Sequence, residues 1–110
     1  MHYIKNNLFI EKADVQNVAK KYGTPAYCYS LKKIKENIKF FKKSFSFSPL
    51  ICFAVKSNTN LFLIKEIKKL GLGADVVSMG ELIIALKAGI NPKKIVFSGV
   101  GKTTNEIDMQ

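Results

Sequence analysis

The most informative absence in this 110-residue chain is arginine, because all 18 basic residues are lysines. With 8 acidic residues the net charge is +10, which makes nucleic acid or an anionic membrane a candidate partner. Without arginine, however, the chain lacks the bidentate fork that reads guanine or clamps phosphate. The lysines are also spread over several predicted helices. These features favour solvated helix faces over a nucleic-acid or membrane interface.

Histidine and cysteine are nearly absent as well. The single histidine, His2, lies beside the start of the sequence, so the chain offers no histidine as a general base. Cys28 and Cys52 stand in separate apolar runs without the spacing of a zinc site or a disulfide framework. We therefore expect two buried, unbonded thiols and no metal site.

Long apolar runs are missing too. None approaches the roughly 20 residues that span a bilayer, and residues 1–5 lack the apolar core of a signal peptide. Hydrophobic residues still make up 47% of the chain, enough for one modest core. The sequence thus predicts a folded cytoplasmic protein with at most one domain's worth of core.

The first 45 residues predict a small β element and two helices. Asn6 and Asn7 tolerate the positive φ of a tight hairpin turn. Asp14 is placed to cap a helix through Lys21, and residues 26–29 resemble a strand. A long amphipathic helix is then predicted from about residue 31. Its core-facing stripe comprises Leu31, Ile34, Ile38, Phe41 and Phe45.

From residue 50 onward, short apolar runs alternate with helical patterns, which is typical of βα units in a parallel sheet. Ser78 and Glu81 form a capping-box pattern, and Gly71 and Gly89 end helices. The predicted elements are strand 50–55, helix 61–70, strand 74–77, helix 79–88, strand 95–97 and a helix over 102–110. Three βα units suit either an open doubly wound sheet or the first part of a (β/α)8 barrel, and both stay open at this point.

Both architectures place ligands beyond the carboxyl ends of the strands, where Lys56 and Ser98 follow two of the predicted strands. An amine at the edge of a core loses hydration, and its neutral form can attack an aldehyde. A lysine at the junction of a strand and a loop is, however, more often a solvated residue than a catalytic one. Asp75 lies inside an apolar strand, where a carboxylate is costly to bury. It therefore needs a cation such as Lys56, a hydrogen-bond donor or contact with solvent.

Residues 98–103 (SGVGKT) show a partial similarity to a phosphate-binding P-loop. The spacing fails, because the required first glycine falls on Val96 inside the predicted strand. A nucleotide triphosphatase is therefore a weak alternative, and a turn that lines a pocket fits the pattern better.

Four segments carry a resemblance to a known family. They are residues 22–30 (YGTPAYCYS), 53–58 (FAVKSN), 73–82 (GADVVSMGEL) and 95–103 (IVFSGVGKT). In order and spacing they resemble the start of the diaminopimelate decarboxylases, which use pyridoxal 5'-phosphate. The resemblance covers nearly the whole chain, although the Ala-Val-Lys core of the second segment is shared with ornithine and arginine decarboxylases.

The resemblance implies a pyridoxal-phosphate-binding (β/α)8 barrel that begins in residues 31–110, preceded by a β-domain segment in residues 1–30. It implies that Lys56 bonds to the cofactor aldehyde, that Ala54 and Asp75 lie near the cofactor and that Ser98 lines its pocket. The implied reaction converts meso-diaminopimelate to lysine in lysine biosynthesis. The implied assembly is a homodimer with active sites between subunits.

Length is the main departure from the family, whose members are several times longer. The stacking histidine, the phosphate loop and the substrate-binding residues fall outside these 110 residues, which we expect to be inactive and poorly stable by themselves. The alternatives are another pyridoxal-phosphate barrel decarboxylase or a racemase-like protein, a basic nucleic-acid-binding module, and a gene remnant without activity.

Overall fold

The computed structural model describes residues 1–100 and 102–108, apart from the side chain of residue 106, and divides the chain into two compact units, Met1–Ser46 and Phe47–Gln110. The first unit has an antiparallel sheet with strand order β1-β2-β3, followed by two helices. Its elements are β1 (His2–Ile4), β2 (Asn7–Ile10), β3 (Ala13–Asp14), α1 (Val15–Tyr22) and α2 (Leu31–Lys43). The division between residues 30 and 31 inferred from the resemblance stays a prediction.

The hairpin between β1 and β2 is confirmed, but its turn lies one residue earlier than predicted. Ile4 pairs with Asn7, so Lys5 and Asn6 form the two-residue turn, with φ of 47° and 65°. Two consecutive positive φ values match a type I′ turn, whose twist fits antiparallel strands. This register stacks the ring of His2 on that of Phe9 at 5.9 Å.

The predicted cap of α1 is confirmed, whereas the strand expected at residues 26–29 is wrong. The Asp14 carboxylate accepts a hydrogen bond from the Gln16 amide at 2.8 Å. Residues 26–29 have no regular secondary structure. An apolar run becomes a strand only where a neighbouring strand accepts its backbone hydrogen bonds, and no strand in the described residues pairs with it. Cys28 in this run is exposed, contrary to the expected burial.

Helix α2 begins where predicted, and the Ser30 hydroxyl caps it by accepting from the Lys33 amide at 3.0 Å. Its apolar stripe is only partly covered. Leu31, Ile34 and Ile38 are half-buried, whereas the remaining two members, both phenylalanines, are exposed and pack edge to face on each other. The predicted core-facing role therefore holds for the first half of the stripe and not for the second.

Glu11 joins the β2–β3 turn to the start of α2. Its Oε1 accepts from the Ser30 hydroxyl at 2.8 Å and from the Lys32 amide at 2.9 Å. The bond from the Lys32 amide, followed by that from Ser30, lowers the pKa of Glu11 from its ordinary value of 4.5. The carboxylate thus satisfies an amide in the first turn of α2, where the helix dipole also favours negative charge.

The second unit contains a parallel sheet with strand order β4-β5-β6, as the βα pattern predicts. Its elements are β4 (Cys52–Ala54), α3 (Leu61–Lys69), β5 (Gly73–Val76), α4 (Met79–Lys87), β6 (Ile95–Phe97) and α5 (Thr104–Asp108). Residues 101, 109 and 110, part of the predicted loop and final helix, lie outside the described residues. The first strand is shorter than the predicted 50–55 at both ends: residues 50 and 51 have no regular secondary structure, and the chain turns into a 3-10 helix at Val55–Ser57.

Helices α3 and α4 cover one face of this sheet and form the core with it. Every second strand residue contributes to that core, since successive side chains of a strand point to opposite faces. The strand and turn residues packed there are Phe53, Val55, Ala74, Val76, Ile95 and Phe97. In the part of the chain that the structure describes, no helix has the length and hydrophobicity to cross a membrane.

Gly73 leaves room for close packing at the start of the central strand. A Cβ at this position would overlap the carbonyl oxygen of Lys94 and lie 2.9 Å from Sγ of Cys52. We expect Gly73→Ala to lower the free energy of unfolding by about 2 kcal/mol, because the obstructing atom belongs to the backbone. Urea unfolding of the complete polypeptide measures the change.

Gly80 in α4 is the matched control, since the nearest atom to an added Cβ there is Oγ of Ser78 at 3.9 Å. Gly80→Ala should raise the free energy of unfolding by about 0.5 to 1 kcal/mol through helix propensity. Equal unfolding midpoints for the two variants would contradict the packing argument.

The lowered pKa of Glu11 predicts a pH-dependent contribution to stability. This contribution is complete above the ordinary value of 4.5 and is lost as the pH falls through the lower folded-state pKa. Urea midpoints measured from pH 6 downwards should therefore fall less steeply in Glu11→Gln than in the wild type. Glu36→Gln is the control, because the described contacts of Glu36 are exposed ion pairs at 4.0 Å with Lys32 and Lys33. Parallel pH profiles for wild type and Glu11→Gln would refute the role of Glu11.

Candidate active site

The sheet face opposite α3 and α4 carries three of the four predicted site residues. Ala54 is the register partner of Asp75, and Asp75 is the partner of Val96. Their neighbours in sequence pack into the helix-covered core, so the alternation of a strand places Ala54 and Asp75 on the other face. Ser98 follows β6 with the same alternation. The structure thus brings Ala54, Asp75 and Ser98 to one face, near the carboxyl ends of the strands.

Lys56 lies in the turn that follows β4. Val55 before it is fully buried, whereas Lys56 itself is exposed. The Ser57 hydroxyl donates to the Ala54 carbonyl at 2.7 Å, and the Asn58 amide donates to the Val55 carbonyl at 3.0 Å. A buried anchor and two hydrogen bonds therefore fix the backbone that carries the amine, while the side chain remains open to a ligand.

Asp75 is half-buried and is bound by Ser98. The Ser98 hydroxyl donates to Oδ1 of Asp75 at 2.5 Å, and the Ser98 amide donates to the Val76 carbonyl at 2.9 Å. A short O–H···O bond to a carboxylate is among the stronger hydrogen bonds in proteins. Among residues 1–100 and 102–108 the structure shows no ion pair between Asp75 and Lys56. The sequence left a cation, a hydrogen-bond donor and solvent open as partners of Asp75, and the structure shows a hydrogen-bond donor, Ser98.

Two contacts at Val77 were not foreseen from the sequence. Ser78 accepts from the Glu81 amide at 3.3 Å, as the capping box predicts, but Oε2 of Glu81 accepts from the Val77 amide at 2.9 Å, one residue before the cap. A Cβ on Gly99 would lie only 2.5 Å from the Val77 carbonyl oxygen. Glycine at 99 therefore lets the chain after β6 approach the end of β5.

Cys52 lies at the other end of the same face. Burial raises the pKa of its thiol, and the negative charge of Asp75 adds to the effect. Cys52 is a free thiol whose Sγ donates to the Lys94 carbonyl at 3.8 Å, and it is half-buried where full burial was expected. The described residues contain no group of three side chains suited to hold a metal ion.

The loop that resembles a P-loop contains one further described contact. Nζ of Lys102 lies 5.3 Å from the centre of the Phe97 ring, a cation–π distance. Val96 is part of β6, where a P-loop would require its first glycine. The geometry therefore supports a loop that packs on its own strand.

The comparison with protein families decides the assignment. Residues 31–110 match the pyridoxal binding domain of the pyridoxal-dependent decarboxylases. The chain belongs to this family. The expected fold class, the incomplete first part of a pyridoxal-phosphate-binding α/β barrel, is thereby confirmed.

Similar proteins support the assignment over most of the chain. The diaminopimelate decarboxylase of Aquifex aeolicus is 48% identical over 107 residues, which are 97% of this chain and 25% of that protein. A solved structure from Aquifex aeolicus has a TM-score of 0.90 and 47% identity, with 97% of this chain and 28% of that chain covered. Diaminopimelate decarboxylase from Helicobacter pylori, solved with L-lysine, has a TM-score of 0.81 and 43% identity, with 87% and 25% covered. The chain spans about a quarter of the length of these relatives.

The residues present fit the cofactor of this family. Pyridoxal phosphate needs a primary amine for its aldehyde, and Lys56 offers one at the end of β4. Ala54, in register with Asp75, adds little bulk to the face on which a flat ring would lie. The sequence signals for this region were the positions of Lys56 and Ser98 after two predicted strands and the family resemblance, which also pointed to Ala54 and Asp75. The Ser98–Asp75 bond and the approach of Gly99 depend on strand register and carried no such signal.

The Ser57 hydroxyl should stabilise the turn that carries Lys56. We expect Ser57→Ala to accelerate hydrogen exchange of the Asn58 amide roughly fivefold, corresponding to about 1 kcal/mol for one hydrogen bond. Ser57→Thr retains the hydroxyl and is the matched control. An unchanged exchange rate in Ser57→Ala would show that the bond to Ala54 does not stabilise the turn.

Proposed function

We propose that the complete polypeptide decarboxylates meso-diaminopimelate to lysine, with pyridoxal phosphate bound to Lys56. One observation carries the proposal: exposed Lys56 stands in a hydrogen-bonded turn directly after β4, and this strand pairs with β5, which carries Asp75 in contact with Ser98. Barrel enzymes place their catalytic groups at this end of the strands. The similarity to diaminopimelate decarboxylases supports the choice of substrate.

Each proposed site residue has a distinct task. The rigid turn at residues 55–57 holds the Lys56 amine where a cofactor aldehyde can bond to it. Ala54 keeps the neighbouring sheet surface free of bulk, and Asp75 supplies a negative charge that hydrogen bonding holds in place. When bound, pyridoxal phosphate supplies the conjugated ring that takes up the electrons left when a carboxylate departs as carbon dioxide.

The remaining features of the family are proposed for the complete polypeptide as well. We infer that residues 1–30 contribute to a β domain and that residues 31–110 open the barrel. We also infer a cytoplasmic homodimer, with active sites between subunits and no nucleic-acid partner. The scattered, arginine-free basic residues support the last point, since α2 alone carries six exposed lysines.

The attachment site is tested directly by reduction with borohydride in the presence of pyridoxal phosphate. Peptide mass mapping of the complete polypeptide should locate the cofactor on Lys56, and Lys56→Ala should lose both this label and the decarboxylation of diaminopimelate. Lys65→Ala, which removes an exposed lysine from α3, should retain both. A label on a different lysine would refute the assignment.

Substrate choice requires a separate assay. Carbon dioxide release from meso-diaminopimelate, L-lysine and L-ornithine at equal concentrations should favour diaminopimelate. Faster release from ornithine or lysine, with Lys56 still labelled, would keep the cofactor assignment and replace the substrate.

A further inference from the structure

We propose that Ser98 is a positioning residue, which influences the reaction through Asp75 and makes no essential contact of its own with the cofactor. The inference rests on the proposed function, because it assigns Ser98 a role in the site that Lys56 defines. It differs from the role implied by the family resemblance, in which Ser98 lines the cofactor pocket.

The first support is that Ser98 is fixed at two points. Its amide donates to the Val76 carbonyl at 2.9 Å and its hydroxyl donates to Oδ1 of Asp75 at 2.5 Å. The first bond continues the pairing of β5 with β6 beyond the last strand residue. Backbone pairing thus places the serine, and the side-chain bond uses that placement to hold the carboxylate.

The second support is the close approach of the next residue. Glycine at 99 brings the chain to the Val77 carbonyl, where an added Cβ would lie at 2.5 Å, and Glu81 holds the Val77 amide at 2.9 Å. The end of β5 is therefore in contact with the chain after β6 and with α4. These contacts fix the backbone next to Ser98, although the residue itself is exposed.

The third support concerns Asp75 itself. The last torsion of an aspartate side chain is broad, so its carboxylate rotates freely unless a partner fixes it. Asp75 is half-buried beside Ala54, and its described hydrogen bond comes from Ser98. Without that donor, the carboxylate would lose both its orientation and part of the compensation for its burial.

A double-mutant cycle in the complete polypeptide, loaded with pyridoxal phosphate, tests the inference. The proteins are wild type, Ser98→Ala, Asp75→Ala and the double variant, with Ser98→Thr as the conservative replacement. Ser44→Ala removes an exposed hydroxyl at the end of α2 and is the matched control. The measurements are the dissociation constant of pyridoxal phosphate, kcat and its pH profile, and the unfolding midpoint.

We expect Ser98→Ala to weaken cofactor binding or lower kcat about tenfold, which corresponds to about 1.4 kcal/mol. Ser98→Thr, which keeps the donor, should restore most of this loss, and Ser44→Ala should match the wild type. In the Asp75→Ala background, Ser98→Ala should add less than about twofold, because residues that act as one unit are not additive.

An equal loss from Ser98→Ala with and without the Asp75 carboxylate would overturn the inference, since it would indicate an independent contact. A dissociation constant and a kcat equal to those of the wild type in Ser98→Ala would overturn it as well. If the cofactor still labels Lys56 in that case, the proposed function stays intact. If Asp75→Ala does not fold, Asp75→Asn replaces it, and the effect of Ser98→Ala must then shrink because a neutral acceptor binds the hydroxyl less strongly. Failure of the wild type to label at Lys56 would refute the proposed function and, with it, this inference.

Discussion

The pairing of β5 with a strand on each side is the constraint on which the second unit depends. β4 and β6 both bind β5 in parallel register, and they do not pair with each other. Because strand side chains alternate, this single register decides which residues enter the core beneath α3 and α4 and which face away. Ala74 and Val76 are fully buried on the face beneath the helices, and Asp75 between them lies on the opposite face. In this sheet the backbone at Lys94 also packs closely on the start of β5, which the missing side chain of Gly73 permits.

The register of β5 and the chain segments after β4 and β6 together place the residues of the candidate site. The turn after β4 exposes Lys56, and the chain after β6 brings Ser98 to Asp75. Neither α3 nor α4 supplies one of the four site residues, and both helices cover the opposite face of the sheet. Glu81 of α4 nevertheless links the two layers, because its carboxylate accepts from the Val77 amide at the end of β5. The hydrophobic core and the candidate site thus lie on opposite faces of the sheet, and the Val77 amide connects the two.

Much of this arrangement could be predicted from the sequence, because it depends on local patterns. The caps at Asp14 and Ser78 follow from side chains that bind nearby amides, and the βα order follows from apolar periodicity. The prediction of a strand at residues 26–29 was wrong because strand pairing depends on a distant partner, which no local pattern reveals. The Ser98–Asp75 bond was missed for a related reason, since it joins residues 23 positions apart through a register that only the folded sheet defines. The burial of Cys28 was overestimated because hydrophobicity predicts a preference for the interior, not the presence of a covering element.

The continuity of the site in sequence has a consequence for how such proteins diversify. Ala54, Lys56, Asp75 and Ser98 all lie inside one compact unit, Phe47–Gln110, together with the strands and helices that hold them. A recombination event with its crossover in the segment between α2 and β4 would keep the four residues together with the contacts described above. The register of β5 that aligns them would therefore be inherited as one piece.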